Sequence, residues 1–308
     1  MEVALIKIDG KPFEKLIEVV SNGIGTLYRP RAIRQEADAK AYEIKVIEKA
    51  KNEAIAEGKL IEAENLSRIN DRLVAKEVKR QNNIDDVVEI AANDLKETEQ
   101  VSDMPVDQDW SARFFDIVQD VSDEKMKILW GKILAGEIRT PKSYSMRTME
   151  LLRNLSKEEA DIFVKVSQFV LRQDEYFIYD NTDEMRKFGI RYQDIAKLTE
   201  IGLIQVGTFV HKTYKAFPDR DNRIGFKYAN YVIIITIKSN AKEVSLPINC
   251  LTTAGQELYK LIDVSPNTEF INMLGKQIKK DNVIVEYTNI LSITPDGRIE
   301  YQEPTIKI

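Results

Sequence analysis

The first hydrophobic pattern in the chain is helical. Between residues 11 and 28, apolar residues recur every three or four positions, which predicts an amphipathic helix that ends before Pro30. We interpret residues 1–33 as an amphipathic segment whose apolar face packs on another helix. Because lysines and arginines flank this pattern, peripheral contact with a membrane through residues 11–34 is the alternative.

Residues 34–100 predict a long helical region, either a coiled coil or a helical hairpin. From residue 34 to residue 95 the sequence has no proline and a single glycine, Gly58. Its apolar residues form a narrow seam with charged flanks. Such a helix cannot bury its seam against itself, so we expect a homo-oligomer. The seam residues on which this expectation rests are Ile44, Leu66, Ile69 and Leu73.

Residues 107–155 are expected to form a compact helical module after an acidic, polar linker. Apolar residues that follow Trp110 and surround Trp130 keep helical spacing, and both tryptophans of the chain lie in this stretch. We therefore expect the two indole rings to lie in the core of the module.

Residues 156–308 predict a winged-helix-like α+β domain. A capping box of Ser156 and Glu159 begins a helix, and two strands, 207–214 and 228–238, flank a polar turn. A further helix begins at Thr252. The order of helices and strands favours a winged unit, and the fold class is mainly α with a carboxy-terminal α+β part.

Five stretches of the central module carry a resemblance to known bacterial proteins. They are residues 109–115 (DWSARFF), 121–124 (VSDE), 129–137 (LWGKILAGE), 145–148 (SMRT) and 152–156 (LRNLS). These stretches resemble the bacterial family catalogued as domain of unknown function 2806 and, more distantly, the alpha-type abortive-infection proteins. The resemblance implies a cytoplasmic bacterial protein linked to defence against phage, and it supplies no catalytic residue.

Composition and charge narrow the class of protein. Lysine and arginine total 45 against 50 acidic residues, a net charge of −5, which disfavours a chain that coats nucleic acid along its whole length. One cysteine and one histidine exclude an internal disulfide and a cysteine- or histidine-rich metal site. The sequence has no apolar run long enough to span a bilayer and no secretory signal at its start, so we expect a cytoplasmic protein.

The sequence contains no recognisable catalytic constellation. His211 lies in a predicted strand without a nucleophile elbow, Cys250 precedes a helix start, and phosphate-binding glycine motifs are absent. Acidic clusters such as residues 85–89 suit a charged helix surface, and a metal-dependent effector nuclease that uses them is the second alternative. We expect no catalytic residue, no cofactor and no metal site.

Cations near the polar turn offer a contact for nucleic acid or phosphate. They are Lys212, Lys215, Arg220 and Arg223. A wing tip with this charge would touch a DNA backbone, which makes a DNA-binding winged-helix regulator the first alternative function. Since Asp219 and Asp221 alternate with the arginines, contact with a protein is favoured over contact with nucleic acid.

These patterns together predict a non-enzymatic, self-assembling bacterial protein. Its expected role is anti-phage defence of the abortive-infection type, through oligomerisation and contact with a protein partner in a defence system. The trigger, the downstream target and the number of subunits do not follow from the sequence.

Overall fold

The computed structural model describes residues 10–28, 60–96, 98, 100–205, 210–294 and 297–308, and isolated positions between 49 and 58. The chain divides into two compact units, residues 1–149 and 150–308. The finer division into four regions stays a prediction. Ile44 lies outside the described residues.

The first unit is built from helices. Their bounds are α1 Lys11–Ile24, α2 Leu60–Leu95, α3 Gln108–Val118, α4 Glu124–Arg139 and α5 Met146–Asn154, the last of which crosses the boundary between the units. Asp107 caps α3 and Asp123 caps α4, since each carboxylate accepts a backbone N–H of the first turn. The acidic residues before each apolar run therefore begin the helices.

Aromatic rings form the core of the first unit. Trp110 stacks on Phe114 with ring centroids 5.0 Å apart, and Trp130 meets Phe114 edge to face at 5.5 Å. Trp110 donates its indole N–H to the carbonyl of Tyr144 at 2.7 Å. Both tryptophans are buried. This is the burial that the helical spacing predicts.

Helix α1 packs its apolar face against α3. Leu16, Val19 and Val20 are buried, and Gly23 lies so close to Phe115 that a Cβ would overlap the ring. Its apolar face is therefore occupied within the protein, as the helix-packing interpretation predicts. No helix among the described residues is long and apolar enough to cross a membrane.

The second unit combines short helices with a large antiparallel sheet. The helices are α6 Lys157–Ser167, α7 Thr182–Arg186, α8 Tyr192–Glu200, α9 Thr253–Tyr259 and α10 Thr268–Ile278. The strands are β1 Val170–Arg172, β2 Tyr176–Tyr179, β3 Ile204–Gln205, β4 His211–Tyr214, β5 Asn222–Tyr228, β6 Tyr231–Ile237, β7 Val244–Leu251, β8 Val283–Ile293, β9 Ile299–Tyr301 and β10 Ile306–Lys307.

Strand pairing joins these ten strands into one sheet. Its order is β10-β8-β6-β5-β1-β2-β7-β3, with β4 paired to β7 and β9 paired to β8. Strand β6 is internal, because it pairs with β5 on one side and with β8 on the other. Its buried isoleucines explain the continuous apolar run that the sequence shows.

The predicted fold class is wrong. A winged helix would pair the strand around 207–214 with the strand around 228–238, but β4 pairs with β7 and the hairpin partner of β6 is β5. The sequence shows which residues favour a strand but not which distant strand each one joins. The ten-stranded antiparallel sheet replaces the winged unit.

The predicted long coiled coil is wrong as well. Within the described residues, α2 is a single helix of 36 residues. Its second half packs on α4 of the same unit, where Gly131 allows the two helices to approach closely. A helix of the central module thus covers part of the seam that we expected a coiled-coil partner to cover.

Candidate functional site on helix α2

The seam of α2 runs along the whole helix but is covered over only part of it. Its apolar residues recur mostly every three or four positions within each half of the helix, and the positions between the two halves are polar. They are Leu66, Ile69 and Leu73 in the first half and Ile84, Val87, Val88, Ala91 and Leu95 in the second half. In the second half, Val87 is fully buried, and a Cβ at Gly131 of α4 would overlap Ile90.

The first half of the seam is open to solvent. The side chains of Ile69 and Leu73 are each 45% exposed, and Leu66 is half-buried. Residues four positions apart on a helix are neighbours on its surface, so Ile69 and Leu73 form a continuous apolar strip. The predicted oligomerisation residues of α2 therefore lie together on one partly exposed face.

Polar contacts hold the second half of α2 in place. The Nδ2 of Asn83 donates to the carbonyl of Gln119 at 2.9 Å, and the Nζ of Lys127 lies 2.7 Å from Asp86. Burial lowers the pKa of Lys127, but its hydrogen bonds to Asp86 and Glu124 outweigh this effect and raise it. The covered half is therefore a fixed part of the first unit.

The exposed half of α2 has an asymmetric charge, which the sequence analysis missed although the signal is in the sequence. Glu62 and Glu64 lie near its start, whereas Lys76 and Lys79 lie some four turns later. Arg80 follows these lysines, but its guanidinium already contacts a carboxylate oxygen of Asp120 at 2.9 Å. Charges of both signs occur along this surface, and the net charge is −1 for residues 60–69 and +1 for residues 70–79.

The four predicted phosphate-contacting cations do not form a wing tip. Lys212 lies on β4, Arg223 on β5, and Lys215 and Arg220 in the connection between these strands. The Nζ of Lys212 lies 2.9 Å from a carboxylate oxygen of Glu175, and its side chain is only 13% exposed. Arg220 lies over the ring of Phe217 at 4.7 Å.

Arg223, the remaining arginine of that set, also has a contact within the chain. It donates an Nη2 hydrogen to the phenol oxygen of Tyr301 at 2.7 Å. Next to it along the hairpin, Asp221 pairs with Lys238 at 2.6 Å. Acidic and aromatic neighbours therefore occupy most of this cationic surface.

The single histidine and the single cysteine lie on neighbouring strands. His211 is exposed on β4, and Cys250 is half-buried on β7. Burial raises the pKa of the Cys250 thiol, and the charge of Glu175 raises it further. A thiol with a raised pKa is a weak nucleophile at neutral pH.

The acidic cluster at residues 85–89 has contacts that account for it structurally. Asp85 is buried and accepts hydrogen bonds from the Tyr28 hydroxyl at 3.1 Å and from Gln81 at 3.0 Å. Asp86 pairs with Lys127, as described above. Within the part of the chain that the structure describes, no group of three or more histidine, cysteine, aspartate or glutamate side chains could hold a metal ion.

Comparison of the chain with known proteins and protein families finds one matching family. No curated protein and no solved structure matches the chain. The family model described as "Protein of unknown function (DUF2806)" matches residues 67–275, which is more than half of the 308 residues. The match spans most of α2, the helical module and much of the sheet of the second unit. The chain therefore belongs to the DUF2806 family.

Proposed function

We propose that this protein is a non-enzymatic, self-assembling component of bacterial anti-phage defence that acts in the cytoplasm through contacts between copies. The observation that carries the proposal is the partly exposed first half of the α2 seam. The same seam that packs on α4 farther along presents Ile69 and Leu73 to solvent. Removing such apolar area from water favours association.

A second copy of the chain is the occupant that fits this surface. Residue 71 is the midpoint of the exposed half of α2. In a pair of antiparallel α2 helices aligned at this residue, Ile69 of one copy lies beside Leu73 of the other. Glu62 of each copy then lies near Lys79 of the other. Exposed ion pairs add little affinity, but opposite charges select the antiparallel orientation.

Other residues are expected to enlarge this interface. A stable interface generally buries about 800 Å² on each partner, which is more than three side chains provide. Ile44 belongs to the same predicted seam and lies outside the described residues. We therefore expect Leu66, Ile69 and Leu73 to be necessary for assembly but not sufficient for it.

The distant resemblance of the central module to alpha-type abortive-infection proteins supports the role in defence. The cytoplasmic location is supported by the low cysteine content. A defence protein that works through assembly needs no catalytic residue of its own. Its assembled form would act by contacting a protein partner in the defence system.

Phage plating with two matched variants tests the proposal. The seam variant replaces Leu66, Ile69 and Leu73 with glutamine. The control variant replaces Ile61 and Val78 with glutamine, because both are exposed apolar residues of α2 that lie off the seam. We expect the seam variant to lose both protection and assembly, measured by light scattering, while the control variant keeps both.

Two outcomes would overturn the proposal. One is a seam variant that assembles and protects like the wild type. The other is a variant of Asp85, Asp86 and Glu89 changed to their amides that stays folded and oligomeric but loses protection, combined with magnesium-dependent cleavage of nucleic acid by the wild type. The second result would identify an effector nuclease, and melting curves would show that each variant is folded.

A further inference from the structure

Three chain connections of the second unit meet at one end of its sheet. They are residues 215–221 between β4 and β5, 238–243 between β6 and β7, and 279–282 between α10 and β8. The Nζ of Lys238 lies 2.6 Å from a carboxylate oxygen of Asp221, and the backbone N–H of Lys238 donates to the carbonyl of Asn282 at 3.0 Å. These contacts hold the three connections side by side.

Four exposed lysines at this end of the sheet form no salt bridge with any residue that the structure describes. They are Lys215, Lys242, Lys276 and Lys280, which we call the lysine surface. The Nζ of Lys280 lies 3.5 Å from the carbonyl oxygen of Glu243, the residue after Lys242. Lys215 follows Tyr214, which pairs with Val244, so it lies beside the same connection. Lys276 lies in the last turn of α10, just before the third connection.

Positive charge dominates these segments although the whole chain is acidic. Residues 215–222, 238–243 and 276–282 contain seven basic and four acidic residues, a net charge of +3, in a chain whose net charge is −5. Of the lysine surface, only Lys215 belongs to the cations that the sequence analysis identified, because folding is needed to bring the other three beside it. A surface with an excess of one charge attracts ligands of the opposite charge, so the expected ligand is a polyanion.

The side chains around the lysines favour a phosphodiester backbone over a membrane. Exposed amides lie in the same segments: Asn240, Gln277 and Asn282. Amide side chains, like lysines, hydrogen-bond to phosphate oxygens in protein–nucleic acid interfaces. A membrane-binding surface needs several exposed apolar residues. In these three segments, all of which the structure describes, Phe217 is the only exposed large apolar side chain.

Phe217 offers a stacking surface for an unpaired base. It is 38% exposed, and the guanidinium carbon of Arg220 lies 4.7 Å from the centre of its ring. Aromatic rings and arginine side chains both stack on bases, which are accessible to them in a single strand but not in a duplex. We propose that the lysine surface binds single-stranded nucleic acid, with its lysines on phosphates and a base on Phe217. This local site does not depend on the proposed self-assembly through α2.

Fluorescence anisotropy with the full-length protein tests this proposal. The probes are labelled oligothymidylate and oligouridylate of about 20 nucleotides, which is longer than a typical single-strand site, and duplex DNA of the same length. We expect at least one single-stranded probe to bind more tightly than the duplex. Four lysine–phosphate contacts give a slope of about −3 for the logarithm of affinity against the logarithm of salt concentration. The affinity should therefore fall about 50-fold between about 50 and 200 mM salt.

Two variants with the same change of net charge locate the binding site. The surface variant has glutamine in place of Lys242, Lys276 and Lys280. The control variant has glutamine in place of three exposed lysines outside the three segments, Lys157, Lys187 and Lys260. We expect the surface variant to reduce the salt slope to about −1, because each lost lysine–phosphate contact removes about 0.7 from it. The control variant should bind like the wild type.

Phe217→Ala tests the stacking contact. It should weaken binding to the single strand by about fivefold or more and leave binding to the duplex unchanged. The proposal is overturned if neither single-stranded probe binds at low salt, if the surface variant binds like the control variant while folded, or if the duplex binds more tightly than both single strands. Binding to phosphatidylserine vesicles without binding to the oligonucleotides would also overturn it and would identify a membrane contact.

Discussion

Replacing Asn249 with leucine should stabilise the second unit, although most substitutions in a protein core destabilise it. Among the residues that the structure describes, none forms a hydrogen bond with the buried Oδ1 of Asn249. A buried polar group in this state costs about 1–3 kcal/mol. Leucine removes that cost, and Asn249 lines a cleft of about 420 Å³ into which a larger side chain can extend. We expect the free energy of unfolding to rise by about 1–2 kcal/mol.

The same substitution at Asn267 should lower the free energy of unfolding. Asn267 caps α10, and its Oδ1 accepts the N–H of Phe270 at 3.0 Å. Losing such a cap costs about 0.5–2 kcal/mol. Because both variants remove an amide and add the same side chain, Asn267→Leu shows the effect of losing an amide that has a hydrogen-bond partner.

The assay can separate the two units of the chain. Trp110 and Trp130, the only tryptophans, lie in the first unit, so their fluorescence reports on that unit. Calorimetry follows both units, and each kcal/mol shifts the midpoint temperature by roughly 2–4 °C for a unit of this size. We expect Asn249→Leu to raise the calorimetric midpoint of the second unit without shifting the fluorescence transition.

A destabilised Asn249→Leu protein would refute this reasoning. If its midpoint falls as far as that of Asn267→Leu, the amide of Asn249 has a structural partner. A stabilised variant would instead confirm that the buried Oδ1 lowers the stability of the second unit.

Three further substitutions test the packing of each unit. Trp130→Ala should lower the free energy of unfolding by about 3–5 kcal/mol in urea titrations, and an unchanged curve would show that the indole is not in the core. Gly131→Ala should cost about 1–3 kcal/mol by the same measurement, because a Cβ there overlaps Ile90, and a neutral effect would contradict the close approach of α2 and α4. Burial raises the pKa of Asp194, but the hydrogen bonds from Lys165 and Arg191 outweigh this and lower it. The stability that Asp194 contributes is therefore present above its unfolded pKa of about 3.9 and is lost as the pH falls further. Asp194→Asn should be destabilising at pH 7 by about 1–2 kcal/mol, and this effect should shrink as the pH is lowered below about 3.9, so an effect of constant size would contradict this.

Local features of the fold could be predicted from the sequence. The capping box of Ser156 and Glu159 begins α6 as expected, because both of its hydrogen bonds form within four consecutive residues. The run of β-branched residues that becomes β6 is similarly visible in the sequence. Helix starts and buried strands depend on neighbouring residues, so a single sequence reveals them.

Features that depend on distant contacts could not be predicted. Helix α6 ends at Ser167 and β1 begins at Val170, because β2 and β5 supply hydrogen-bond partners for this strand. The burial of Asn249 could not be predicted for a similar reason, because it arises only when β7, β2 and α8 come together.

The partly exposed seam of α2 could be predicted from the sequence only in part. Its seam is evident in the sequence, but only the structure shows that α4 covers the second half and that Ile69 and Leu73 remain partly exposed. The sequence therefore identified the residues of the proposed interface, while their exposure required the tertiary structure.

The most direct test of self-assembly is the molar mass of the wild-type protein in solution. Multi-angle light scattering at micromolar concentration should give a multiple of the 35.4 kDa monomer mass. This mass should persist when the ionic strength is raised, because apolar association resists salt, whereas binding driven by charge does not. A mass of 35.4 kDa at every concentration tested would contradict the proposed assembly through α2.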